Sequence, residues 1–453
     1  MISTDEAQSH EVGCTFATGA TRRHRSHQSR STGVARCPGG QVSADEAVGP
    51  ALRALTERLW TPDSNSDDPV RVGYGRPAPG TTTVEEYIAV PNLRRPRLLV
   101  PVAASAACRS AFGRHLATSS LRSRANSAGL MAAFGTPIGE SLMRQRLYVG
   151  IDSSIDPSEW STWNLLHHLR HSLDADDVVA FIQMRRVTPN AKPTLRLFER
   201  DGTALGFAKV GWSDATRAVV RNEAAALTAV QDRLALLQVP RLADSGSWQG
   251  REYAVAAPLP AGVRAYSQEP STTPELLLDI VHAGDLTRGP LVSSAYASRI
   301  AADLEQAAAA EPEASEVLLA WLGRLKSQRV DLDYGRWHGD FVPWNLGRTE
   351  TGVVAWDWEY SEAEVPVGFD LVHWHFQRRI AAADGTLTEA VRTADAEAAR
   401  LVVVGVDPTA GGLVTSLYLL TMFTRAVRLA AGGAGWNPKF YPDFLKVART
   451  RDV

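Results

Sequence analysis

Cysteine is nearly missing from this chain. The three present, Cys14, Cys37 and Cys108, lie far apart and are odd in number, which argues against a disulfide framework and for a reducing compartment. A charge excess is also missing: 48 Lys and Arg against 50 Asp and Glu give a formal net charge of -2, so composition suggests neither a nucleic-acid nor a membrane partner. No N-terminal stretch joins a basic segment, an apolar run and a small-residue cleavage site. The most apolar window, residues 411–433, carries Arg425 and Arg428 and is expected to be a buried helix of a cytoplasmic protein. There is no internal repeat, and no serine sits in a nucleophile elbow. Cys108, with His115 nearby in an Ala-rich stretch, reads as packing. What remains is an ordinary globular composition, 44% hydrophobic and 22% charged, over 453 residues, enough for two or three folded units.

Residues 1–45 are rich in Ser, Thr, Gly, Arg and His with hardly any aliphatics, so a disordered tail is expected. Cys14, His24, His27 and Cys37 within it match no compact zinc spacing. Residues 46–175 read as a small mixed unit: a helix within 44–60, a linker at 61–69, proline-broken strands over 84–102, a helix over 103–143, and a helix around His168 with a solvated face. From about Asp176 the pattern changes. Strands at 176–186, 194–199 and 205–211, the last two joined by a tight turn at 200–203, precede a long helix capped by Ser213 or Asp214. An apolar strand and connector over 252–262 lead into a mostly helical half with one embedded hairpin. The expected fold is α+β and two-lobed, with an N-lobe at 176–257 (small antiparallel sheet, one helix) and a helical C-lobe at 258–453.

The hairpin carries the chemistry. In "RWHGDFVPWNLGRTETGVVAWDWEY", residues 336–360, a turn centred near residue 351 sets Asn345 and Asp357 opposite each other. An amide oxygen and a carboxylate are hard ligands suited to Mg²⁺. Asp340, in the loop ahead of Asn345, can accept a proton from a hydroxyl nucleophile. Upstream, the turn at 200–203 sets Lys209 opposite Thr194, beside the connector 188–193, where nucleotide phosphates would be covered. Glu223 shares an inward helical stripe with Val219, Ala226 and Val230, where pairing with Lys209 would satisfy both charges.

The order Lys209, Glu223, "HGDFVPWN", "AWDWE" resembles the aminoglycoside phosphotransferase and choline kinase family of small-molecule kinases, relatives of protein kinases in fold, over residues 176–453. The resemblance implies that Asp340 is the base, Asn345 and Asp357 hold Mg²⁺, Lys209 binds phosphate and Glu223 fixes that lysine. It further implies that Asn190 lies in the phosphate-covering loop, that the backbone about Ala256, Pro258 and Leu259 meets the adenine, and that His338 and Asp370 brace the catalytic loop. The donor would be ATP or GTP, and the acceptor a hydroxyl of an amino sugar, sugar or amino alcohol. Glu359, His373 and His375 are candidates for lining the acceptor pocket, and Glu359, Glu362 and Glu364 form an acidic rim or a solvated loop. Two departures stand out: residues 188–193 contain no glycine, and the N-terminal unit has no counterpart in the plain family pattern. The alternative reading is a nucleotide-binding pseudokinase acting through its N-terminal unit. The path from Asp357 to Asp370 is too short for the activation segment of a protein kinase.

Overall fold

The computed structural model describes residues 48–60, 68–102, 104, 106–108, 110, 145–184, 191–266, 268 and 273–451. The expected tail, most of the linker at 61–69, most of the helix expected over 103–143, and Asn190 lie outside these residues.

Local rules account for the first elements. Helix α1 (Pro50–Leu59) begins with proline, whose missing N–H costs nothing at a helix start, and buries Leu52, Leu55 and Leu59 along one face. Strands β1 (Val70–Tyr74), β2 (Thr81–Val90), β3 (Leu98–Pro101) and β4 (Arg146–Asp152) follow, then α2 (Leu165–Ser172), capped by the Asn164 side chain. Strands β5 (Val178–Gln183), β6 (Thr194–Glu199) and β7 (Ala204–Gly211) lead into helix α3 (Asp214–Val230). Ser213 is its N-cap and makes a reciprocal capping box with Thr216, which settles the choice between Ser213 and Asp214. The short β8 (Leu237–Gln238), then β9 (Leu242–Trp248) and β10 (Arg251–Ala256), complete the N-terminal half.

All of these strands except β8 form one antiparallel nine-stranded sheet in the order β1-β4-β2-β3-β5-β6-β7-β10-β9. The join is β3 to β5, with Leu98 opposite Gln183 and Leu99 opposite Ile182. Both strands are interior and carry continuous buried apolar runs, as strands covered on both faces must. A single core cluster runs from Leu52 and Leu99 to Leu197, Val210 and Val255. The expected boundary at 175/176 therefore falls inside one sheet and one core. The histidines of α2 are not simply solvated: His168 Nε2 lies 3.1 Å from the Tyr253 hydroxyl and meets that ring edge-on.

The rest is mostly helical: α4 (Pro274–His282), α5 (Ala295–Ala307), α6 (Pro312–Lys326), α7 (Phe369–Ala381), α8 (Leu387–Glu397), α9 (Gly411–Leu429) and α10 (Asp443–Thr450). Two small sheets are embedded in it. Strands β11 (Arg264–Ala265), β14 (Leu346–Arg348) and β15 (Val353–Ala355) join β8, while β12 (Thr287–Pro290), β13 (Asp331–Trp337) and β16 (Glu362–Pro366) form the other. The apolar window at 411–433 is long enough to span a membrane by composition, but 78% of its qualifying 18-residue stretch is buried inside the lobe, as expected for a core helix. Trp321, Trp337, Trp358 and Trp374 are fully buried in the same core, and Trp358 and Trp374 pack against His338 and Phe341 of the loop that carries Asp340.

Candidate active site

Strand β13 delivers the chain to a loop held from below. Gly339 has φ +82°, and a Cβ there would lie 2.0 Å from the Tyr360 carbonyl oxygen, so only glycine lets the two segments pass. Asp370, at the start of α7, accepts hydrogen bonds from the His338 N–H at 2.7 Å and the Gly339 N–H at 3.2 Å. Burial pushes its carboxyl up to about 7 in spite of these two bonds. From above, Arg425 of α9 donates to the Gly339 carbonyl at 3.0 Å and lies over the Tyr360 and Trp337 rings, 4.1 and 5.2 Å from their centres. His338 is fully buried 4.4 Å from the Trp358 ring, and its Nδ1 accepts the Asp340 N–H at 3.2 Å.

Asp340 is thereby presented at the loop tip with a quarter of its side chain exposed. One oxygen lies 3.0 Å from His373 Nε2, the other 2.7 Å from Asn345 Nδ2. A carboxylate can only accept, so His373 carries its proton on Nε2 and takes the Tyr418 hydroxyl, 3.1 Å away, on Nδ1. Burial pushes the Asp340 carboxyl up, but the His373 hydrogen bond and neighbouring positive charge outweigh it and hold the group below its ordinary value. Asp340 is ionised at neutral pH.

Burial drives His338 down to about 4, well under its ordinary 6.5. The sign of the resulting pH effect follows: below pH 6.5 the unfolded chain takes up a proton that the folded loop refuses until about pH 4, so stability is lost as pH falls through that window, by on the order of 3 kcal/mol. Thermal melts of the wild type and His338→Asn between pH 7 and 4.5 should diverge, the variant losing less. Parallel curves would contradict the assignment.

The hairpin forms with a one-residue correction. Its register pairs Leu346 with Ala355 and Arg348 with Val353, and the Trp356 N–H donates to the Asn345 carbonyl, so Asn345 faces Trp356 rather than Asp357. The ladder ends there because Asp357 adopts φ +72°, which turns its carboxylate toward the N-lobe. Asn345 is buried in a 3-10 turn, with its Nδ2 donating to the Asp340 carbonyl at 3.0 Å as well as to the Asp340 carboxylate.

In the N-lobe the expected register holds: Thr194 is opposite Lys209. Lys209 Nζ lies 2.8 Å from the Glu223 carboxylate, and it also bonds Asp357 and reaches Glu359 at 3.1 Å. Lys192, from the segment before β6, meets the other Glu359 oxygen at 3.1 Å. Asn222 Nδ2 donates across to the carbonyls of Glu359 and Ser361. Burial works against both ammonium charges, yet the carboxylates win and hold both lysines above their ordinary value. Burial raises Glu223 to about 7.

Two expected pocket residues are corrected, and a third changes role. Glu359 is no open rim: its side chain is 11% exposed and bridges two lysines. His375 is turned away from Asp340 and faces Glu397 at 3.5 Å, because two residues along a helix reverse the side-chain direction. His373 is fully buried and holds Asp340 instead of lining a pocket. Of the rim glutamates, Glu362 pairs with Arg299 at 3.3 Å. Ala256 ends β10, and Pro258 and Leu259 continue as half-buried chain between the lobes. Lys192 and Arg425 were not picked out from sequence. A lysine in the connector opposite Lys209 was the available signal for the first; nothing local marks the second.

No family model and no curated protein matches the chain. Among solved structures it is similar to a thermostable mutant of aminoglycoside phosphotransferase APH(4)-Ia in ternary complex with ADP and hygromycin B, at 11% identity over 64% of this chain and 99% of that one, TM-score 0.37. It is similar also to amicoumacin kinase hAmiN in complex with AMP-PNP, Ca²⁺ and Ami, at 11% identity over 58% and 86%, TM-score 0.37. A third is a glucosamine kinase in complex with glucosamine, ADP and inorganic phosphate, at 14% identity over 66% and 83%, TM-score 0.30. Overlaps at these scores carry no weight for function, which rests on the side-chain geometry.

Proposed function

We propose that this chain is a small-molecule kinase that transfers the γ-phosphoryl group of ATP or GTP to a hydroxyl of a small acceptor, an amino sugar, sugar or amino alcohol. The observation that carries the reading is the meeting of the two lobes: an ionised Asp340 tethered to Asn345 on one side, and Lys209 bridging Glu223 to Asp357 on the other. Asp340 orients the acceptor hydroxyl and takes its proton; His373 and Asn345 fix its carboxylate for that task. Lys209 and Lys192 hold phosphate oxygens, with Glu223 and Glu359 fixing their positions.

The donor set also suits Mg²⁺. Among the described residues, Glu223, Asp357 and Glu359 bring oxygens within 4.8 Å of one another beside Lys192 and Lys209. Asn345 spends its Nδ2 on Asp340, which leaves Oδ1 to ligate. Asp357 and Asn345 would hold the ion, which when bound neutralises charge on the transferring phosphoryl group.

The test is release of ADP or GDP that depends on acceptor, across a panel of amino sugars, sugars and amino alcohols, read beside Asp340→Ala. Acceptor-dependent release abolished in the variant supports the reading. Nucleotide binding with no transfer to any acceptor would favour a pseudokinase.

A further inference from the structure

The segment ahead of β6 contains no glycine over 188–193, the residue that lets backbone approach phosphate most closely. It offers a lysine, and the N-terminal unit holds that lysine in place. We propose that Arg58 of α1 is a positioning residue for nucleotide phosphates, acting through Lys192; the proposal rests on the kinase reading above.

Three contacts in series carry it. First, α1 is anchored by its end. Arg251 of β10, 3% exposed, donates from Nε to the Arg58 carbonyl at 2.6 Å and from Nη2 to the Glu57 carbonyl at 3.4 Å, which satisfies terminal helix carbonyls and sets a cation at the negative end of the dipole. Second, the Arg58 side chain reaches over the phosphate-side segment. Its Nη1 donates to the Ala191 carbonyl at 3.1 Å, and its guanidinium lies 4.3 Å from the centre of the Trp212 ring. Trp212 Nε1 donates to the same carbonyl at 3.2 Å. Third, the Val210 N–H donates to the Pro193 carbonyl at 3.1 Å, where the β6–β7 ladder begins.

Lys192 therefore sits between two pinned carbonyls. Its side chain is 12% exposed, and its ammonium shares Glu359 with Lys209, each 3.1 Å from a carboxylate oxygen. Without Arg58 the Ala191 carbonyl keeps, among the described residues, the Trp212 donor alone, and Lys192 gains freedom that nucleotide binding would have to remove.

The experiment uses the full chain and Mg·ATP or Mg·GTP, with Arg58→Ala, Lys192→Ala, the double variant, and Trp212→Phe, which removes the second donor but keeps a ring. Readouts are nucleotide KM and kcat, and amide hydrogen exchange over 191–193. Arg58→Ala is expected to raise nucleotide KM about tenfold with kcat within about twofold, and to speed exchange at the segment. Trp212→Phe should act in the same direction. Because Arg58 works through Lys192, the double variant should be no worse than Lys192→Ala alone. Additive losses, or unchanged nucleotide KM in folded Arg58→Ala, would overturn the proposal and leave the kinase reading intact. A wild type that binds no nucleotide would overturn both, and is distinguished by that fact.

Discussion

Replacing Asp340 with Ala is expected to lower kcat by about 10³-fold while nucleotide affinity changes by less than about threefold. The split follows from who holds what. Asp340 contributes a carboxylate to the acceptor side, and its removal leaves His373 Nε2 facing an empty place. Asn345 is also held by the backbone carbonyl of residue 340 at 3.0 Å, a bond the substitution spares, so the ligand side of the loop stays where it is. Asp370 and Arg425 continue to grip the backbone on either side of Gly339. Steady-state rates with a responsive acceptor, together with calorimetric nucleotide titration, check this. Loss of nucleotide binding in step with kcat would assign Asp340 to the nucleotide site instead.

Lys209→Met should have the second largest effect, on folding as well as on binding. The lysine lies among three carboxylates, and its side chain is only 16% exposed. Taking one partner out of a buried ion cluster costs about 3–5 kcal/mol, because the charges left behind lose their compensation. Glu223, already raised to about 7 with the lysine present, rises further without it. A raised carboxyl binds more protons folded than unfolded between its ordinary 4.5 and the raised value, so the variant should regain stability as pH falls through that range. Denaturant titrations at pH 8 and pH 5.5 measure it: the gap to wild type should narrow at the lower pH. A gap that stays constant would show that the carboxylates are compensated by other groups. Nucleotide affinity should fall beyond detection in the same variant, since Lys192 alone cannot replace a phosphate contact fixed from two sides.

The site was partly legible because its parts sit on regular elements. The turn arithmetic reached the right partner, Thr194 opposite Lys209, by a different route: the loop is centred on Asp201, with the Glu199 N–H on the Thr203 carbonyl at 2.8 Å, and a register shift between Leu197 and Phe198 restores the expected pairing beyond it. The inward direction of Glu223 followed from helical spacing, although the neighbour on its stripe is the buried Val220 rather than Val219. The same arithmetic slipped by one residue in the hairpin, because Asp357 leaves the ladder through a positive φ that no periodicity announces. Arg425, and the role of His373 as the partner of Asp340 rather than a pocket wall, were beyond local reading: each reaches the loop from a helix, and a lone Arg or His in an apolar stretch looks the same whether or not it meets a catalytic loop. Strand segments were expected ahead of residue 175 only over 84–102, so β1 and β4 were missed, and the region reads as a separate unit because strand pairing leaves no local trace of its partner; only the buried run of β5 hinted at a neighbour on both sides.

The most direct test of the central claim is calorimetric titration of ATP and of GTP, with and without Mg²⁺, into the wild type and Asp357→Ala. The account predicts magnesium-dependent binding of at least one nucleotide to the wild type and its loss in Asp357→Ala. Binding that is unchanged in the variant, or absent from the wild type under both conditions, would contradict it.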